Sequence, residues 1–243
     1  MLLNCDLGES YGDRVTGNDA AVMPHIHQAN IACGFHGGDP VTIGNTLKLA
    51  AEYSVAVGAH PAYPDLEGFG RRSMQLTQGE LIANLHYQIA ALEGMARLHG
   101  LQLGHVKPHG ALYNDMMAHA DTRAAIFTAM AGWHRPLPLV LQATPAANEH
   151  LEEAAAAGIE LVFEAFADRC YTDDGALLPR SEHGAVHSRE QLLAQVEQLV
   201  SEGTVTTVGG KTLAIHAETL CVHGDNAAGI EVIKAVRALV DRG

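Results

Sequence analysis

The segment Gly104-His105-Val106-Lys107-Pro108-His109-Gly110-Ala111-Leu112-Tyr113-Asn114 places an ammonium, an imidazole and a phenol close together along the chain. Leu101, Leu103 and Val106 read as a short buried strand. Pro108, with no amide hydrogen to give to a ladder, ends it. Lys107 and His109 therefore stand at a strand's carboxyl end, where parallel sheets and barrels gather their chemistry. The arrangement recurs. Asp6 and Glu9 follow one apolar run, His36 a second and His60 a third; Glu164, Asp168 and Arg169 follow another, and His223 and Asp225 the last. A single histidine is more often a surface or core residue than a catalyst. Repetition of such groups at strand ends instead points to one functional face.

Carboxylates converging on imidazoles and a lysine can do two jobs. They can bind a divalent metal, with Asp6, His36, His60 and His223 as candidate ligands. They can equally serve as general acids and bases without metal, using Asp6 or Glu164 with His109. The spacing does not choose between these, since no H-E-x-x-H pattern is present. The neighbouring Arg71 and Arg72 could clamp a substrate carboxylate or phosphate, or could anchor their own loop through salt bridges or form an oligomer contact.

The elements that must position these groups follow from the hydrophobic pattern. Strands are expected at Leu2 to Asp6, Gln28 to Cys33, Val55 to Ala59, up to Val106, Leu137 to Leu141, Ile159 to Phe163, and about Leu220 to Val222. Asp39-Pro40 reads as a helix cap and first turn. Thr77/Glu80 and Ser188/Gln191 have capping-box spacing. Helices are expected from Pro40 to about Glu52, after Thr77, over Ala118–Ala131, up to Gly158, after Ser188, and at the end of the chain. Strand–helix alternation requires a parallel sheet with right-handed crossovers. Polar residues after nearly every strand favour a closed barrel over an open sheet, whose site would sit at one switch point. The expectation is a single α/β domain over residues 1–243: a seven-stranded parallel β/α barrel, TIM-like.

Composition narrows the function classes. With 15 Lys+Arg against 28 Asp+Glu, the net charge of −13 argues against nucleic acid or anionic membrane as a partner. Neither a signal peptide nor a membrane-length apolar run is visible, so a cytoplasmic location is expected. Cys5, Cys33, Cys170 and Cys221 are far apart and read as reduced core residues. Gly209-Gly210-Lys211-Thr212 resembles the end of a P-loop, but Val205 stands where the first glycine is needed and the strand-to-helix context is reversed. Gly68-Phe69-Gly70 lacks the strand a dinucleotide fingerprint requires. His25-Ile26-His27 precedes a strand and is read as structural.

Taken together, the blocks NCDLGESYG (4–12), ANIACGFHGGDP (29–40), GAHPAYPDLEGFGRR (58–72), HVKPHGALYN (105–114), EAFADRCY (164–171) and CVHGDN (221–226) resemble the LamB/YcsF family over essentially the whole chain. Ser10 and Gly37 stand where that family more often has Gly and Ala. The resemblance implies a barrel of the glycoside hydrolase/deacetylase type. It also implies cleavage of 5-oxoproline (pyroglutamate) to glutamate, driven by ATP hydrolysis and carried out with two companion subunits, B and C. On that reading Asp6 or Glu164 activates water, Lys107 and His109 stabilise developing charge, and Arg71 or Arg169 holds the substrate carboxylate. Glu9, His36, His60, Arg72, Tyr113, Asp168, His223 and Asp225 complete the expected site. Two alternatives remain open from the residues: a stand-alone metal-dependent deacetylase or amidohydrolase, and a non-catalytic 5-oxoproline-binding subunit.

Overall fold

Residues 3 to 7 set the pattern for the barrel. Leu3, Cys5 and Leu7 are buried against the surrounding helices, while Asn4 and Asp6 alternate with them and bond inside the barrel. In the computed structural model the described residues are 1–180, 182–222 and 227–242, the last stretch by its backbone alone over 227–230. Among them, seven parallel strands close into a barrel: β1 (Leu2–Leu7), β2 (Gln28–Ala32), β3 (Ala56–His60), β4 (Leu103–Val106), β5 (Leu139–Gln142), β6 (Leu161–Phe166) and, after a two-stranded hairpin β7 (Thr204–Thr206) and β8 (Thr212–Ala214), β9 (Thr219–Cys221). β9 pairs with both β1 and β6, which closes the ring. The expected seven-stranded parallel barrel is therefore the observed one.

The helices are α1 (Asp19–Val22), α2 (Pro40–Tyr53), α3 (Gln78–Leu98), α4 (Gly110–Ala118), α5 (Ala120–Ala131), α6 (Ala147–Ala157), α7 (Arg189–Glu202) and α8 (Ala227–Val240). Asp39 caps α2 through the amides of Val41 and Thr42, and both capping boxes form. The apolar core lies between the barrel's outer face and these helices. Among the described residues no helix is long and apolar enough to cross a membrane.

Three details depart from the sequence reading. Glu164 lies inside β6, not after it, because that strand runs on to Phe166. The helix expected over 118–131 is α5, and α4 before it was not anticipated; the extended His119 separates the two, and Arg123 donates to the carbonyls of Met116 and Met117, satisfying the end of α4. The P-loop-like glycines form the turn of the β7–β8 hairpin, where the Gly210 amide donates to the Thr207 carbonyl.

The barrel interior is polar, not a stack of aliphatic layers. Asn4 donates to Thr219 (2.8 Å), Asn30 to Asn4 and Asp6 (2.8 Å each), and His105 Nε2 to Asn30 (2.7 Å). Gly58 on β3 makes room for His105: a Cβ there would lie 2.1 Å from its Nε2. Gly58→Ala is expected to displace the buried imidazole and cost about 1–3 kcal/mol. Urea unfolding with an unchanged midpoint would disprove this close-packing account.

Candidate active site

Lys107 follows directly on β4, and its side chain runs into the barrel. Nζ lies 3.0 Å from Asp6 Oδ1 and 3.0 Å from Glu164 Oε2, with Cys221 Sγ at 3.2 Å. Burial alone would lower its pKa, but the carboxylates of Asp6 and Glu164 outweigh this and hold the ammonium well above the ordinary lysine value. A protonated lysine between two carboxylates is thus built into the barrel's carboxyl-terminal mouth. Burial likewise keeps the Cys221 thiol protonated, its pKa raised well above normal. Cys221 is more than core filling, since it contacts the lysine. Burial, then Lys107, push His105 down to about 4, so it is a neutral donor to Asn30.

Beside this cluster stands a second one, of imidazoles. His60 ends β3, His36 follows β2 and His109 precedes α4. The rings of His36 and His109 stack at 3.7 Å and 3°, while His60 meets His109 edge-on at 88°. Glu9 Oε1 lies 3.0 Å from His36 Nε2 and 3.3 Å from His109 Nδ1. Burial, then the neighbouring imidazoles, place the pKa values of His36 and His109 well below normal. Phe69 covers the stack, edge-on to both rings, and its carbonyl accepts from His109 Nε2 at 2.9 Å. Gly70, at φ +65°, lets this loop lie so close: a Cβ would fall 2.8 Å from both His36 and His109.

Both clusters meet a cavity of about 740 Å³, within the size range of small-molecule sites. Asp6, Glu9, His60, Lys107, His109 and Tyr113 line it, with Arg71, Arg169 and Arg180 also among its walls. Glu164 and His36 do not. Glu164 is fully buried behind the lysine. Its Oε1 and the Tyr113 hydroxyl are buried near each other, and neither makes a hydrogen bond of ordinary length. Burial, then the charge of Glu164, keep the Tyr113 phenol protonated.

The residues predicted from sequence are thus sorted by geometry. Asp6, Glu9, His36, His60, Lys107, His109, Glu164 and Tyr113 come together. Arg72 does not join them, because its guanidinium forks onto Asp65 and also reaches Glu67; of its anticipated roles, it takes that of loop anchor. Arg71 does line the cavity, its guanidinium over the Phe69 ring at 5.3 Å. Asp168 is buried and does not line the cavity. Arg169 lines it, but also donates to the Leu178 and Ala185 carbonyls. His109, expected as a cationic donor, has its N–H committed to Phe69, which leaves Nδ1 as an acceptor. His223 and Asp225 lie outside the described residues. Sequence reasoning missed Asn4, Asn30 and His105. Their signal was present as polar residues at alternate positions within apolar strands.

The whole chain, residues 1–243, matches the model of the LamB/YcsF family. It is 48% identical over 238 residues to a protein of Pseudomonas fluorescens (strain Pf0-1) that is named as the A subunit of 5-oxoprolinase, covering 98% of this chain and 95% of that one. A protein of Symbiobacterium thermophilum with the same name is 49% identical, with 97% and 90% covered. In three dimensions the crystal structure of the lactam utilization protein from Thermus thermophilus superposes with a TM-score of 0.90 at 42% identity, covering 100% of this chain and 96% of that one. The barrel, the lysine between two carboxylates and the imidazole cluster are therefore those of a chain that belongs to the LamB/YcsF family.

Proposed function

We propose that this chain is the A subunit of an ATP-dependent 5-oxoprolinase, a hydrolase acting on a cyclic amide. It takes 5-oxo-L-proline and, with subunits B and C, opens the lactam to L-glutamate as ATP is hydrolysed. The observation that carries the reading is Lys107, protonated between Asp6 and Glu164 at a cavity that arginines also line. Relatives named as 5-oxoprolinase subunits supply the substrate class.

The chemistry fits these residues. A five-membered lactam is stabilised by amide resonance, so its opening needs an external driving force. Phosphorylation of the lactam oxygen by ATP supplies it. Water then attacks the same carbon, the C–N bond breaks as the ring nitrogen takes a proton, and a second water hydrolyses the resulting acyl phosphate to the carboxylate and phosphate. Lys107 Nζ is the donor facing the oxygen on which negative charge develops. Asp6 is the carboxylate at the cavity wall and accepts the proton of the attacking water. Glu164, enclosed behind the lysine, holds Nζ in place. Arg71 or Arg169 pairs with the substrate carboxylate. The cavity is far larger than one lactam fills, which leaves room for the phosphoryl donor at a site shared with companion subunits. Its use of ATP supports a cytoplasmic location for the assembled enzyme.

Glutamate should form from 5-oxoproline only when the chain, subunits B and C and ATP are all present. Ring opening by the chain alone, without ATP, would favour the stand-alone amidohydrolase. Undiminished turnover by assembled Asp6→Asn and Lys107→Met variants would instead mark a subunit that only binds the lactam.

A further inference from the structure

The direction of the donor atoms in the imidazole cluster is settled by the carbonyls behind them. His60 Nδ1 lies 2.6 Å from the Lys107 carbonyl oxygen, and His109 Nε2 lies 2.9 Å from that of Phe69. A carbonyl oxygen only accepts, so each of these nitrogens carries its ring's proton. In neutral rings His60 Nε2 and His109 Nδ1 are then lone pairs, and they face one another at 3.0 Å. Glu9 Oε1 joins them, 3.3 Å from His109 Nδ1. On the other side Asp6 Oδ2 stands 3.4 Å from His60 Nε2.

Electron-rich atoms repel at such distances unless something positive lies among them. A proton between the two nitrogens would serve only two of the acceptors. A metal ion takes both nitrogens and the Glu9 oxygen together. Donors held ~2.0–2.1 Å from a divalent ion lie roughly 3.0 Å apart in an octahedral shell and 3.4 Å apart in a tetrahedral one. The His60–His109 and His109–Glu9 separations, 3.0 and 3.3 Å, match that range, and all the ligand atoms lie within 4.8 Å of one another.

We propose that Glu9 Oε1, His60 Nε2 and His109 Nδ1 form a binding site for one first-row divalent transition-metal ion. Two neutral imidazoles with one carboxylate suit Zn²⁺, Mn²⁺ or Fe²⁺ better than the all-oxygen shells of Ca²⁺ or Mg²⁺. All three ligands line the cavity, so among the described residues the remaining coordination positions face Asp6 and bound substrate. Three protein ligands with an open position is the pattern of catalytic rather than structural metal sites.

His36 is assigned a different role. Its ring lies parallel to that of His109, so a metal in the plane of one ring is well out of the plane of the other. It does not line the cavity, and its Nε2 meets Glu9 at 3.0 Å. It is a positioning residue that orients the Glu9 carboxylate. Of the metal ligands anticipated from sequence, His60 is kept, Glu9 and His109 replace Asp6 and His36, and His223 lies outside the described residues.

This inference is independent of the 5-oxoprolinase reading, because its test reads metal binding to the untagged full-length chain. The chain is stripped with chelator and titrated separately with Zn²⁺, Mn²⁺ and Co²⁺. One equivalent is expected to bind, with Co²⁺ giving visible d–d bands. In ¹⁵N NMR, Zn²⁺ should shift His60 Nε2 and His109 Nδ1 while leaving their protonated nitrogens as N–H. His60→Ala, His109→Ala and Glu9→Gln should each weaken binding more than the 10–100-fold expected of His36→Ala, roughly the effect of a supporting residue. His134→Ala, on the surface, should bind as the parent does. Absence of binding by the parent chain, or retention of affinity in folded His109→Ala, would overturn the proposal. So would metal-induced shifts confined to other histidines. If the alanine variants fail to fold, the NMR result on the parent chain decides alone.

Discussion

Replacing Lys107 by methionine is expected to remove ATP-dependent ring opening by the assembled enzyme and to destabilise the isolated chain. The activity loss should be at least ~10²–10³-fold in kcat, the scale of deleting a donor aimed at developing negative charge. The stability loss should be about 3–5 kcal/mol, because Asp6 and Glu164 are left facing each other in a buried site without their cation. Against a typical total of ~5–15 kcal/mol the variant should still fold, with a clearly lowered denaturation midpoint. The double variant Lys107→Met/Glu164→Gln separates the two effects. It removes one stranded carboxylate, so stability should partly return while activity does not. Recovery of turnover in the double variant, or full activity in the single one, would take Lys107 out of the mechanism.

Asp6→Asn should cost about 10²–10⁴-fold in kcat, the usual range for loss of a general base, while KM for 5-oxoproline changes little. Asparagine keeps the shape of the side chain and a carbonyl oxygen for the bonds from Asn30 and Lys107, so the fold should be retained. Glu164→Gln is expected to have the smaller effect on kcat. Its Oε2 is replaced by an oxygen that still accepts from Lys107, and the carboxylate lies behind the cavity wall. Steady-state kinetics on both assembled variants decides the point. If Glu164→Gln is the more damaging, the water-activating base belongs to β6 and not to β1.

Most of the barrel was legible because its signals are local. Pro108 stops β4, Asp39-Pro40 starts α2, and two capping boxes start α3 and α7. The hairpin of β7 and β8 was not legible. Its three-residue strands are too short to show alternation, and its glycine turn drew notice only as a false P-loop. The break at His119 that sets α4 apart from the expected helix was also hidden, since α4 starts at Gly110 without a side-chain cap to announce it. It is fixed by Arg123 reaching back to the carbonyls of Met116 and Met117 while its other nitrogens hold Glu153.

Residue types and strand ends alone determined that acidic, imidazole and ammonium groups would meet at one mouth of a parallel barrel. Alternation of side chains along each strand, and the carboxyl-end rule for such barrels, are sufficient for that. Which groups touch was decided only by the closed barrel. Its curvature and register bring Lys107 to Asp6 across 101 residues and Asn4 to Glu164 across 160. Tertiary structure also turned Arg72 away onto Asp65, enclosed Glu164 behind the lysine, and set which nitrogen of His60 and His109 is bare. Those outcomes depend on carbonyls and carboxylates supplied by distant segments, and no spacing along the chain encodes their directions.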